Sequence, residues 1–458
     1  MLAAKLAHTG VLWAEEDLPL AAALQVKRGL TLYREVWFDK PLLVPLVYLL
    51  WGAKTGWVLR LAGAIYGLLA SVLAFAISKR LWGEREAHWA SALMAFFLLF
   101  DTPSAVMPLA ADLLMLVPYM LAFWLAVSRR PFWSGVAGGV AFLLNAKGAI
   151  VLGAALVFAW PGVAAIGRVL AGFAVPNLIA LGWLESTGAL GPYIEQVWHW
   201  MGLYAGDTFV EKPLPYGISK TLNWMGFHAV LVIGTAICFW KEPKWKLALV
   251  LLGSFTGVVL GLRFFPRYYF ILLPLMTAMA ARGLVLVKPK WIAWAALATM
   301  LVPMVRFGPK YVTLALGKEA NWADLAMDRD SRAVSRLLAG NQGKLYVWGY
   351  RPEIFVYTGM EPATKYIECQ ALTGVPADRH LGQAHMVLTT GTAEARAEVI
   401  RARPDVVLDG LGPYNTALAI TKYPDMAKML EGYREGGRTT GTVIYLRDDR
   451  LQPVPTRQ

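Results

Sequence analysis

Between residues 57 and 306 the chain passes through one apolar stretch after another, and this repetition constrains the fold more than any other feature. Each stretch approaches the roughly 20 apolar residues that cross the hydrocarbon core of a bilayer. Stretches at 57–78, 88–106, 108–127, 131–147, 149–166, 168–186, 222–240, 245–262, 267–286 and 291–306 read as spans. Residues 41–52 are shorter and read as a partial or interfacial helix. Composition agrees: 57% of residues are hydrophobic and 16% charged, against about 45–50% and about 25% in a soluble domain. Nineteen tryptophans suit aromatic belts at two bilayer interfaces. Gly135, Gly138 and Gly139 read as small residues that let helices approach closely. No strand precedes them, so they are not a nucleotide loop.

The formal charge is +13, with a pI of about 9.6. A basic total raises nucleic acid as a partner, but the Lys and Arg residues lie in short loops between apolar runs, where the positive-inside rule accounts for them. Basic clusters occur at Lys79-Arg80 with Arg85, at Arg129-Arg130, at Arg168, at Lys241 with Lys244 and Lys246, and at Arg282 with Lys288 and Lys290. If the spans alternate, these share one face, read as cytoplasmic. The opposite face then holds 1–56, the 101–112 turn, the region around Lys147, the 187–221 loop, Arg263 to Tyr269 and everything after 307. Residues 1–13 are too short and too polar to span, yet this orientation places residue 15 outside; we expect a first helix upstream of this start.

After about 307 the character changes. KLYVWGY (344–350), HMVLTT (385–390), PDVVLD (404–409) and GTVIYLR (441–447) read as short strands. Residues 329–340, 351–358, 392–403 and 425–434 read as helices. Strands alternating with helices imply a small α/β domain. The expected fold is therefore an α-helical polytopic membrane bundle with a C-terminal α/β soluble domain. Its parts are an outer-face acidic loop with amphipathic or interfacial helices (1–56), a multi-span bundle with an outer loop at 187–221 (57–306), and an extracytoplasmic α/β domain (307–458). Cys238 lies in an apolar run and Cys369 in the soluble part, so no disulfide is expected between them. The six histidines make no metal-ligand spacing, and no P-loop or Ser nucleophile elbow occurs.

The few charges near apolar runs carry what chemistry the sequence offers. Glu15-Glu16-Asp17 precedes an amphipathic stretch. It reads either as an acidic first helical turn or as carboxylates able to take a hydroxyl proton or hold a divalent cation. Asp39-Lys40-Pro41 reads as a snorkelling Lys before a helix start or as a cation beside a phosphate. Asp112 in PLAADLLML and Asp101 in LLFDTP read as turn residues, or as functional acids if they lie within the membrane. Of these, Asp112 starts a span and ranks first. Lys147 in LLNAKGAIVL costs a few kcal/mol unless it faces a cavity or snorkels. Arg267-Tyr268-Tyr269, with Arg263 a turn earlier, reads as an interfacial belt with its anchor or as a phosphate contact.

These pieces stand in an order that resembles the integral-membrane GT-C glycosyltransferases, in particular the branch with the protein O-mannosyltransferases and lipid A aminoarabinose transferases. The resemblance is carried by WAEEDLPLAAALQVKRGLTLYREVWFDKPLL (13–43), PLAADLLML (108–116), NAKG (145–148), RYYFILLPL (267–275) and KLYVWGYRPEIFVYTGMEPATKY (344–366). It implies a cell-envelope enzyme that moves a hexose or pentose from a polyprenyl-phosphate carrier to a hydroxyl of a lipid, glycan or protein, by single displacement with inversion. In this reading Glu15 is the base, and Glu16 or Asp112 orients it or holds a divalent cation (Mg or Mn). Lys40, Lys147, Arg267 and Tyr268 meet the donor phosphate. Glu at 15 in place of Asp, Leu42 in place of a second Pro, and the lack of a first span depart from the family pattern. A bacterial inner membrane is the expected location, with the site and the C-terminal domain on the extracytoplasmic face. The competing readings are a lipid-linked sugar flippase or a non-catalytic anchor with an outer binding domain. No inverted repeat is visible, and the charges gather at one face rather than at the midplane, unlike many transporters.

Overall fold

Apolar runs with no polar partner for their backbone must satisfy it internally, and here they do so as helices. The structure is a computed structural model that describes residues 1–318 and 322–450. The chain divides into two compact units. The first comprises Met1–Val11, Lys40–Ser186 and Thr208–Ala320; the second comprises Leu12–Asp39, Thr187–Asp207 and Asn321–Gln458.

The first unit is all helical. Trp57–Leu81, Val163–Ser186, Pro266–Leu286 and Lys290–Ala315 are long and apolar enough to span, and Pro213–Phe227 with Ala229–Lys241 passes the same test as a pair bent by 91°. Ala111–Val127, Pro131–Leu144, Gly148–Ala159 and Trp245–Val259 are apolar but shorter. At about 1.5 Å per residue, helices of this length fall short of a bilayer core of about 30 Å. The ten expected spans are therefore not ten straight crossings. The run at 88–106 is helical only over Glu84–Phe97, with a separate turn of helix at Pro103–Val106. The run at 222–240 contains the sharp bend, and the last apolar helix continues past 307 to Ala315. Hydropathy marks apolar character but is blind to where Asn145, Pro266 or His228 interrupts the helical hydrogen-bond ladder.

Close packing rests on small residues at one crossing. A Cβ on Gly135 would lie 2.0 Å from the Val169 carbonyl, one on Gly139 would lie 2.5 Å from Pro176 Cγ, and one on Gly172 would lie 2.0 Å from the Phe132 carbonyl. Helices Pro131–Leu144 and Val163–Ser186 thus meet backbone to backbone. Gly138 points elsewhere; its Cβ would meet only ordinary contacts, at 3.8 Å from Phe173. A further tie joins three helices, where Arg282 pairs with Glu86 at 2.6 Å and also with Glu242.

The second unit is built on a five-stranded sheet: β1 (Lys344–Trp348), β2 (Glu361–Pro362), β3 (Val406–Asp409), β4 (Tyr433–Arg438) and β5 (Val443–Arg447). The order is β2-β1-β3-β5-β4. β1 runs parallel to β2 and β3, β5 runs antiparallel to β3 and β4, and a bulge lies between Glu435 and Gly437. The strands expected in KLYVWGY, PDVVLD and GTVIYLR form. HMVLTT does not: Val387 and Leu388 both donate their N–H groups to the Gly374 carbonyl, and Met386 is exposed. The helix expected over 425–434 ends at Leu430 and gives way to β4. The sequence of β4, YREGGR, has no apolar alternation because the strand is an exposed edge. Trp37 and Trp200, from the two earlier segments of this unit, share its core with Tyr346 and Trp348. Arg351 is fully buried and held by Asp330 at 3.0 Å and Glu353 at 3.1 Å.

Overpacking a tight contact costs about 1–3 kcal/mol. Gly172→Leu is therefore expected to lower the thermal unfolding midpoint of the purified chain in detergent, while Gly138→Ala leaves it nearly unchanged. Equal losses at the two positions would contradict this crossing.

Candidate functional site

Asp112 stands in the first turn of helix Ala111–Val127 and is 8% exposed. A carboxylate there is favoured by the helix dipole, but it also needs partners once water is removed. Two neighbouring turns supply them. Helix Pro131–Leu144 ends at Asn145, whose extended backbone turns the chain toward helix Gly148–Ala159. Asn145 Oδ1 accepts the Lys147 N–H at 3.0 Å and closes that turn. Its Nδ2 donates to Asp112 Oδ1 at 3.2 Å. Lys147 Nζ donates to the same oxygen at 2.8 Å and lies 3.4 Å from the centre of the Tyr268 ring. The 3₁₀ turn Pro266–Leu272 brings Arg267, whose Nε is 3.8 Å from Asp112 Oδ2.

Four residues expected from the sequence thus come together: Asp112, Lys147, Arg267 and Tyr268. Two cations, Lys147 and Arg267, face this one carboxylate. The cluster's side chains are largely withdrawn from water, at 11% exposure for Asp112, 14% for Lys147 and 23% for Arg267. Such a site suits an anion, which would meet an ammonium and a guanidinium at once. The donor set does not fit a divalent cation at Asp112, since both of its oxygens already face positive groups. Among the described residues no group of three or more His, Cys, Asp or Glu side chains could hold a metal ion.

Lys40 belongs to the same unit and is half-buried just before helix Leu43–Tyr48, which packs on helix Pro131–Leu144. Arg263 is buried and donates to the Gly261 carbonyl at 3.0 Å. Leu262 and Phe264, on either side of it, both have left-handed backbones, with φ of 54° and 50°. For such bulky residues that conformation is strained and is a feature of functional segments.

Glu15 and Glu16 lie in the second unit, and the acidic triplet divides into three situations. Glu16 is fully buried; its Oε1 accepts the Trp13 N–H at 3.0 Å and closes the turn before helix Asp17–Lys27. Asp17 accepts the Leu18 N–H at 2.7 Å. Loss of solvent, then Glu353, holds the Asp17 carboxyl well above the usual carboxylate range. Glu15 is half-buried on a left-handed backbone with φ of 74°.

Residues 40–171 match the dolichyl-phosphate-mannose-protein mannosyltransferase family, a stretch that includes Asp112 and Lys147. The fold is similar to that of ArnT from Cupriavidus metallidurans bound to undecaprenyl phosphate, with a TM-score of 0.61 and 14% identity over 97% of this chain and 95% of that one. The chain is a multi-pass membrane protein of the GT-C glycosyltransferase fold. The same ArnT in its apo state superposes with a TM-score of 0.60 and 14% identity, over 95% of this chain and 93% of that one. The oligosaccharyltransferase of Archaeoglobus fulgidus in its apo form gives a TM-score of 0.48 at 14% identity, over 99% of this chain and 74% of that one. No curated protein matches the chain significantly in sequence. The resemblance expected from the sequence holds at the level of fold.

Sequence reasoning missed two features. Asn145 was legible only as part of NAKG, although its amide both closes the turn and holds Asp112. Asp101 is not in an exposed turn: it is 6% exposed, and its Oδ2 lies 3.4 Å from His228 Nε2. The 126 residues between Asp101 and His228 in sequence hide their proximity. A double-mutant cycle tests the central pair. Coupled neighbours show interaction energies of about 0.5–3 kcal/mol, so Asp112→Ala and Lys147→Ala are expected to destabilise the chain singly by more, in sum, than the double variant does. Strict additivity in thermal unfolding would contradict the pairing.

Proposed function

We propose that this chain is a membrane glycosyltransferase that takes a sugar from a polyprenyl-phosphate carrier and delivers it to a hydroxyl acceptor at the extracytoplasmic face of a bacterial inner membrane. The observation that carries the reading is the convergence of Lys147, Arg267, Tyr268 and Asp112, in a chain that has the GT-C fold and matches the mannosyltransferase family over residues 40–171. The ArnT structure of the same fold binds undecaprenyl phosphate, which is the class of leaving group that such a cationic cluster would hold.

In this mechanism the acceptor oxygen attacks the anomeric carbon and the bond from that carbon to the phosphate oxygen breaks. The polyprenyl phosphate leaves with the electron pair. Lys147 and Arg267, with Lys40, offset the charge that develops on it, which is where preorganised cations have most effect. Tyr268 supports the Lys147 ammonium through its ring face. Asp112 keeps the two cations in place when no phosphate is present. Glu15 takes the proton from the acceptor hydroxyl. Its candidacy rests on the family resemblance; its side chain is one methylene longer than Asp, on a backbone with φ of 74°. Glu16 holds the turn that presents it.

The test is transfer from a radiolabelled polyprenyl-phosphate sugar by the purified chain in nanodiscs. General-base catalysis contributes about 10²–10⁴-fold. Glu15→Gln is therefore expected to lower kcat by about 100-fold or more, with KM for the donor little changed. Lys147→Ala is expected to raise that KM. Full transfer by Glu15→Gln would remove Glu15 as the base. Movement of the intact lipid-linked sugar across the bilayer without transfer would replace the enzyme with a flippase.

A further inference from the structure

The bent pair Pro213–Phe227 and Ala229–Lys241 turns through 91° at a single residue, His228. This residue is 1% exposed and lies inside a column of rings. Phe97 stacks on one face of the imidazole at 4.6 Å, and Trp224 stacks on the other at 4.2 Å. Trp224 in turn stacks on Tyr269 at 5.0 Å and a plane angle of 17°. The Tyr269 hydroxyl is hydrogen-bonded to Thr221 Oγ1 at 2.9 Å, one turn before Trp224.

One ring nitrogen of His228 is also engaged. Nδ1 is 3.0 Å from the Trp224 carbonyl, an acceptor, so this nitrogen carries a hydrogen. Nε2 lies 3.4 Å from Asp101 Oδ2 without making a hydrogen bond to it. Asp101 Oδ1 accepts the Thr102 N–H at 2.6 Å.

The column ends next to the phosphate-type cluster. Tyr269 follows Arg267 and Tyr268 directly in the turn Pro266–Leu272, and those two residues carry the Asp112 and Lys147 contacts. We propose that His228, stacked against Phe97 and Trp224, is a positioning residue for the donor phosphate: through Trp224 and Tyr269 it sets where the turn places Arg267 and Tyr268. The inference rests on the reading that Lys147 and Arg267 bind the donor phosphate. It assigns a task to the bend in the helix that neither the family segment nor the site cluster requires.

The experiment uses the full chain in nanodiscs with a polyprenyl-phosphate sugar, and with undecaprenyl phosphate alone as the binding probe. Displacing a binding group by about an ångström costs up to about 10²-fold, so His228→Ala is expected to raise the donor KM and weaken undecaprenyl phosphate binding by about tenfold. kcat and the acceptor KM should stay within about twofold, since the base and acceptor are untouched. A merely structural role would instead lower the folded fraction, and with it kcat. Trp224→Leu cuts the column while keeping the backbone carbonyl that His228 Nδ1 faces, and should give the same KM effect, which keeps the test open if His228→Ala does not fold. Asp101→Asn combined with His228→Phe keeps the ring sandwich without a lone buried carboxylate and should recover most of the affinity. An unchanged donor KM in a folded His228→Ala or Trp224→Leu chain would overturn the inference alone. Failure of the unaltered chain to bind undecaprenyl phosphate would overturn it together with the reading it rests on.

Discussion

A carboxylate withdrawn from water between two cations is the interaction on which the rest of this protein's chemistry depends. Asp112 lies in a unit of apolar helices, where an unpaired charge is costly. Three separate segments converge to satisfy it: the start of helix Ala111–Val127, the turn at Asn145–Lys147 and the turn Pro266–Leu272. The breaks in the helical ladder at Asn145 and Pro266 lie beside this group. The short helices Pro131–Leu144 and Gly148–Ala159 are short because Asn145 spends its backbone and side chain on a turn rather than on another helical residue. That turn delivers an ammonium and an amide to the same carboxylate oxygen. An ammonium and a guanidinium side by side then define the kind of ligand the cluster suits, an anion.

The bundle is held rigid enough for this by means that differ from those of a soluble core. Helix Pro131–Leu144, which leads into Asn145, meets helix Val163–Ser186 through Gly135, Gly139 and Gly172. At one crossing, then, backbone contact fixes the helix that carries the turn. In the second unit the logic is that of a water-soluble domain. β1 and β3 are buried throughout apart from Lys344, and a fully buried Arg351 is satisfied by two carboxylates rather than one. Glu16 belongs to this second kind of chemistry, since its carboxylate is used on a backbone N–H.

Much of this was legible in the sequence, for identifiable reasons. Asp112, Lys147 and Arg267 stand out because charge beside apolar runs is rare enough to carry information, and the structure joins all three. β1 and β3 are short continuous apolar runs, which sequence patterns report well. β4 was hidden because an exposed edge strand needs no apolar alternation, and YREGGR reads more naturally as the tail of a helix. HMVLTT misled for the opposite reason, since its apolar letters decorate an irregular segment pinned to the Gly374 carbonyl. The helix ends in the bundle were illegible to hydropathy, because Asn145 and His228 act through hydrogen bonds and not through their average polarity. The His228–Asp101 pair was invisible because nothing local links residue 101 to residue 228.

The central claim is that the Asp112 cluster receives the phosphate of a lipid carrier. Native mass spectrometry of the full chain with undecaprenyl phosphate and with undecaprenol measures this most directly, because the two lipids differ only in the charged group. The account expects saturable binding of the phosphate, little retention of the alcohol, and loss of that preference in Lys147→Ala with Arg267→Ala. Equal binding of the two lipids, or an undiminished preference for the phosphate in the doubly altered chain, would contradict it.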